Sequence, residues 1–210
     1  MDVNTNSQRS DKVTERLATE IRQEQIAAAA LSLIKEGGIE SFSIAAIAKL
    51  LGLAPSAIYR HFSGKEQILL AVNRLITEKL LENIRIVCAD SSDPVERLHR
   101  LLKLHVAFVQ ESDGVSRYVF YTGVSEYGCE RKQQLFTGVR RYLEKVSELF
   151  SQAQECRQVQ RDLDPDTLAF MFLGLIQPAI FLRQLGDGYY DFEAQTESAW
   201  EVFIAGVRRD

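Results

Sequence analysis

Apolar positions recur at helical spacing along almost the whole chain, and no convincing pair of alternating strands interrupts them. Leu17, Ile21, Ile26, Ala30, Leu33 and Ile34 form one such stripe, which Gly37-Gly38 ends, so a first helix is expected over about residues 13–36. The following segment is shorter and more sharply punctuated. Ser43 can cap a helix whose Ile44, Ile47, Ala48 and Leu51 share one face, and Gly52 supplies the left-handed residue that stops it. Leu53 seals the corner, Pro55 suits the first turn of a next helix, and Ile58 and Phe62 give that helix its buried stripe. Ser63 with Glu66 matches a capping box and predicts a fourth helix from about Gly64 to Val87. Asp93-Pro94 and Asp164-Pro165 each set a capping carboxylate before a first-turn proline. The remaining helices then fall at about 94–111, 115–124, 129–156, 165–185 and 191–208.

The pattern is that of an all-α protein of about nine helices. A polar stretch over residues 1–12 reads as a mobile arm, residues 13–80 as a three-helix DNA-binding unit with a helix-turn-helix at about 43–62, and residues 81–210 as a second helical unit. The fourth helix runs from one unit into the other without a proline or a glycine-rich linker, which makes it a mechanical connection.

Helix-turn-helix units read DNA because a short second helix can enter the major groove. Here the outward positions of that helix are small or polar: Pro55, Ser56, Ala57, Tyr59, Arg60 and His61. Small residues let the backbone approach base edges, and Tyr59, Arg60 and His61 offer donors to phosphates or bases. No acidic residue occurs from Ser41 to Lys65, so a polyanion meets no repulsion there. Lys65 sits where a helix dipole disfavours a cation, which points to an anionic partner such as a phosphate.

Charge first argues against this reading and then supports it. The chain carries a formal net charge of −4. Residues 1–79 hold 10 Lys/Arg against 9 Asp/Glu, a net of +1, which leaves 15 and 20, a net of −5, for the remainder. Binding follows local neutralisation of phosphate rather than total charge, so the acidic body is compatible with a DNA reader.

The string Gly52-Leu53-Ala54-Pro55-Ser56-Ala57-Ile58-Tyr59-Arg60-His61-Phe62, with Ser43 nine positions before Gly52 and Lys65-Glu66 after Phe62, resembles the tetracycline-repressor (TetR) family of bacterial transcription regulators over about residues 15–80. The resemblance implies DNA contacts from Ser43, Ser56, Ala57, Tyr59, His61 and Lys65, with Tyr59, His61 and Lys65 mainly on phosphates. It also implies a homodimer on a palindromic double-stranded operator, repression as the mode of regulation, and a small-molecule effector in the second unit that shifts the fourth helix. One departure stands out. Ala54 occupies the position where the family usually has a Ser or Thr helix cap, a loss typically worth ~0.5–2 kcal/mol.

Two features of the second unit fit these implications. Leu168–Ile176 is apolar all round, so one side needs a cover beyond its own subunit. A dimer interface is accordingly expected to include Phe170, Leu173, Gln177 and Phe181, together with Trp200, Phe203 and Val207 on the last helix. Rings are dense in the same unit, and a largely apolar pocket with a few polar anchors is expected around His105, Phe108, Tyr118, Tyr121, Tyr127, Phe136, Tyr142 and Phe172. Rings at helical spacing also fill cores, so each of these has a plain packing reading beside the functional one.

Other classes find little support. The chain lacks GxSxG, a phosphate-cradling glycine loop and HExxH, so no catalytic residues are assigned and no enzyme is expected. Cys88, Cys129 and Cys156 are scattered, and His99 and His105 do not share a helical face, so neither a metal nor a cofactor is expected. No secretory leader is visible, and the apolar stretch Leu168–Leu182 falls short of the ~20 residues of a membrane span. A cytoplasmic location with no membrane partner follows. The alternative left open is a DNA-bound structural or interaction factor whose second unit docks a protein instead of a small molecule.

Overall fold

The computed structural model describes residues 4–111, 113–124, 128–185 and 191–208. Among them are ten α-helices and no strand: α1 (Asn4–Gly37), α2 (Ile44–Leu50), α3 (Pro55–Tyr59), α4 (Lys65–Asp90), α5 (Pro94–Glu111), α6 (Asp113–Val124), α7 (Cys129–Glu155), α8 (Pro165–Gly174), α9 (Gln177–Leu185) and α10 (Phe192–Val207). A single 3-10 turn, Ile39–Ser41, separates α1 from α2.

The capping carboxylates act as their spacing implies. Asp93 Oδ1 accepts from the Glu96 amide at 2.9 Å, and Asp164 Oδ2 from the Thr167 amide at 2.9 Å. Two expectations change. The first helix begins at Asn4, so residues 4–12 have helical backbone where an arm was expected. The helix expected over 165–185 breaks into α8 and α9 at Leu175–Ile176. Pro178 explains the break, since it cannot donate to the carbonyl of Gly174 and its ring crowds that carbonyl.

Two apolar clusters organise the chain. Ile26, Ala30, Ile34, Phe42, Ile47, Ile58 and Phe62 pack against Ile68, Val72 and Ile76 of α4 in the first. The second joins Ile84 and Val87, farther along α4, to Leu98, Leu101, Val146, Phe150, Phe172 and Trp200. The 26-residue α4 thus carries side chains in both, over a length of about 39 Å. α6 adds a second tie. Its Val115 and Tyr118 belong to the first cluster, and the Tyr118 hydroxyl donates to Leu69 O at 2.9 Å.

Candidate DNA-reading face and interior cavity

The reader is built from short, individually capped helices. Ser43 Oγ accepts from the Ala46 amide at 3.0 Å and starts α2. Gly52, at φ 66°, turns the chain in the left-handed region, and the Leu53 amide closes the corner on Ala48 O at 2.8 Å. Ile58 and Phe62 are buried in the first cluster, which fixes the opposite side of α3 outward. Pro55, Ser56, Tyr59 and Arg60 are exposed, while Ala57 and His61 are half-buried. Tyr59 is 57% exposed, unusual for so large a ring and consistent with a surface kept for contact. Ala54 caps α3 with extended backbone and no side-chain bond, as its identity requires.

The segment around Lys65 corrects one expectation. No capping box forms: Gly64 is the N-cap of α4, and it has no side-chain partner. Glu66 instead reaches away from the helix start to Arg131 on α7, with Oε1 2.7 Å from Nε. Arg131 is almost wholly buried, and its carbonyl accepts from Asn73 Nδ2 at 3.0 Å. Its guanidinium also lies 5.9 Å from the centre of the Tyr121 ring. The Nε hydrogen is not aligned on the carboxylate, and Nη1 has no partner among the described residues, so this contact is an ion pair rather than a fork of hydrogen bonds. A buried cation attracts this carboxylate more strongly than an exposed backbone amide does. Lys65 is left exposed, its ammonium 5.3 Å above the Phe42 ring.

A cavity of about 350 Å³ lies between the two clusters. Its walls come from Ile76, Thr77 and Leu80 of α4, His105, Phe108 and Val109 of α5, and Val115, Ser116 and Val119 of α6. Leu135, Gly138, Val139 and Tyr142 of α7 and Leu173, Gln177, Ile180 and Phe181 of α8 and α9 complete it. No Asp, Glu, Lys or Arg is among these residues. His105 Nδ1 and the Tyr142 hydroxyl are 3.1 Å apart. Burial holds the imidazole neutral, pulling its pKa down to about 4, and pushes the Tyr142 phenol well above its ordinary value.

Of the ring-rich pocket expected from sequence, His105, Phe108 and Tyr142 line the cavity. Tyr118 does not: it is buried in the first cluster, its phenol pushed up to about 12 by burial. Tyr121 sits by Arg131, Phe136 is 67% exposed, and Phe172 is packed edge-on to Phe150 and Trp200 in the second cluster. Tyr127 lies outside the described residues. Ring content marks where large side chains are, not which ones leave space between them. The α4 and α6 wall residues were missed, although Gly138, an isolated glycine inside a helical run, signals a close approach.

The expected association surface divides in the same way. Trp200, Phe203 and Val207 are 4%, 7% and 7% exposed, because they complete the subunit's own second cluster. Leu173 is half-buried, and with Gln177 and Phe181 it lines the cavity. Phe170 and Met171 of α8, Phe181 and Leu182 of α9 and Val202 of α10 are exposed apolar side chains. By length and hydropathy alone, Pro165–Leu182 is also apolar enough to cross a membrane.

Residues 26–72, covering the end of α1, the reader and the start of α4, match the profile of "Bacterial regulatory proteins, tetR family". Over these residues the chain is of the tetR family. It is therefore a DNA-binding regulator of transcription, in keeping with the exposed α3 face. The chain is 22% identical to a fatty acid metabolism regulator protein of Bacillus subtilis, over 87% of this chain and 94% of that protein. It is 23% identical to the nucleoid occlusion factor SlmA of Vibrio campbellii, over 90% and 97% of the two chains. The crystal structure of the transcriptional regulator FadR from Bacillus subtilis in complex with stearoyl-CoA matches the fold with a TM-score of 0.72. It is 23% identical, covering 87% of this chain and 98% of that one. These family regulators share the all-α fold with an N-terminal DNA-binding domain.

Proposed function

We propose that this chain is a cytoplasmic, homodimeric repressor that binds a palindromic operator through residues 13–80 and is released by a small, largely apolar effector bound in residues 81–210. One observation carries the sensing half of this reading: α4 supplies both Lys65 at the reader and Ile76, Thr77 and Leu80 in the cavity wall. A ligand that occupies the cavity acts directly on the helix that positions the reader. It releases DNA only to the extent that it favours the DNA-incompetent form, and a coupling of ~1–3 kcal/mol corresponds to roughly 5–150-fold in affinity.

Ser43, Pro55, Ser56, Ala57, Tyr59, Arg60, His61 and Lys65 are the proposed DNA-contacting residues. The exposed Phe170, Phe181 and Val202 are the proposed dimer contacts, because paired subunits bury apolar area that a lone subunit leaves in water. Two-fold symmetry then sets two α3 helices on successive major grooves. The relative solved with stearoyl-CoA supports an acyl compound as a first choice of effector.

The likeness to nucleoid occlusion factors favours a second reading, a DNA-bound factor that docks a protein. In-vitro selection of bound DNA, followed by release assays with metabolite pools, separates the two. The repressor reading predicts an enriched palindrome and loss of the complex on adding a small-molecule fraction. Failure to enrich a palindrome, or a mass near 24 kDa by light scattering at micromolar concentration, would refute the dimeric operator-binding form.

A further inference from the structure

Besides its size, the cavity is defined by the chemistry missing from its wall. Among the described residues its polar side chains are Thr77, His105, Ser116, Tyr142 and Gln177, all uncharged at neutral pH, and none of the described lining residues is a Lys or Arg that could neutralise an acid. The Thr77 hydroxyl is engaged, since it donates to Asn73 O at 2.9 Å. His105 and Tyr142 behave differently. A neutral imidazole has one N–H and a phenol has one O–H, so the pair holds two donors and uses one of them in its mutual 3.1 Å bond. If the phenol donates to Nδ1, the spare donor is Nε2–H. If Nδ1–H donates, the spare donor is the phenol. In either case one donor remains, and no acceptor among the described residues takes it.

We propose that the effector's polar group is an uncharged hydrogen-bond acceptor, the carbonyl of an ester, thioester or ketone, seated against His105 and Tyr142, and that the cavity excludes carboxylates. The inference rests on the reading of the cavity as the effector site and refines it. An acceptor carbonyl satisfies the spare donor and brings no charge into an apolar wall. A carboxylate gains the same bond but loses its hydration without meeting a cation, which is the costly case for any buried ion. The apolar remainder of the ligand lies along Phe108, Val109 and Ile180. His105 and Tyr142 are accordingly the residues that set specificity.

The test uses the full chain and three probes of similar length, methyl octanoate, 2-nonanone and octanoate, titrated calorimetrically at pH 7.5. Both neutral compounds are expected to bind at least about tenfold more tightly than octanoate, the discrimination of one well-made against one unmet polar interaction. In the double variant His105→Leu, Tyr142→Phe, which leaves neither donor of the pair, both carbonyl probes should bind about tenfold more weakly, whereas octane, a control of similar length with no acceptor, should be unaffected. A merely structural role for the pair would weaken octane and the carbonyl probes alike. Thermal melts establish that the variant is folded, and His105→Leu serves as the second variant. Octanoate binding as tightly as the ester in the parent protein would overturn this inference while leaving the cavity as an effector site. Absence of binding by all three probes would overturn both.

Discussion

Gly138→Ala is expected to release operator DNA without any ligand. Gly138 is buried on α7 against Thr77 of α4, and a Cβ placed there would lie 2.2 Å from Thr77 Oγ1, 3.2 Å from Cγ2 and 3.3 Å from Cβ. Rotating the threonine takes Oγ1 out of the position from which it donates to Asn73 O, and its Cβ stays 3.3 Å from the new methyl whichever rotamer it adopts. To reach ordinary contact near ~3.5 Å the helices must part by about 1 Å. Overpacking of this kind costs about 1–3 kcal/mol, and the better helix propensity of alanine returns up to about 1 kcal/mol. The protein should therefore stay folded, destabilised by about 0–3 kcal/mol. Its DNA affinity should change more. Thr77 lies twelve residues along α4 from Lys65, about 18 Å, so a displacement at the cavity floor moves the reader through a continuous helix. Operator affinity measured by fluorescence anisotropy should fall by about tenfold or more, within the usual range of allosteric coupling. Adding Thr77→Ala removes the colliding atoms and should restore most of the affinity. Parental binding by Gly138→Ala, or a loss that Thr77→Ala does not relieve, would refute the route through α4.

Three further outcomes are expected. Lys65→Ala should weaken binding to every sequence and reduce the slope of log affinity against log salt by about 1, whereas changes at Ser56 should alter sequence preference; an unchanged slope would remove Lys65 from the phosphate contacts. Ala54→Ser supplies the cap that α3 lacks and should stabilise the protein by about 1 kcal/mol, raising its thermal midpoint by roughly 2–4 °C for a chain of this size. His105 lowers stability in acid, because its folded pKa of about 4 lies below the ordinary 6.5. Between those values the unfolded chain takes up a proton that the folded chain refuses, so this contribution is complete above pH 6.5 and is lost as pH falls toward 4. The loss approaches about 3 kcal/mol. Denaturant titrations of the parent and His105→Leu should therefore converge in pH dependence only above pH 6.5.

The reader was legible because its determinants are local. A Ser43 hydroxyl three residues from an amide, a left-handed Gly52 and a proline at the first position of α3 act within a few residues of themselves. The capping box at Ser63 and Glu66 was also a local reading, and it failed because Arg131, 65 positions away from Glu66, competes for the carboxylate. The same limit explains the misplaced pocket. Tyr118, Phe172 and Trp200 are as large and apolar as Tyr142 and Phe108, and only the packing of other helices separates those that fill a core from those that border a gap.

An all-helical chain with a capped helix-turn-helix and a long uninterrupted α4 follows from the order of residues alone, since periodicity, caps and turns are short-range properties. Where α4 and α7 meet, which rings leave a cavity, and that Thr77 and Gly138 form its floor beside an uncharged His105–Tyr142 pair are decided only once the helices pack. Contacts between distant segments depend on the shapes of both surfaces, and no stretch of sequence carries both.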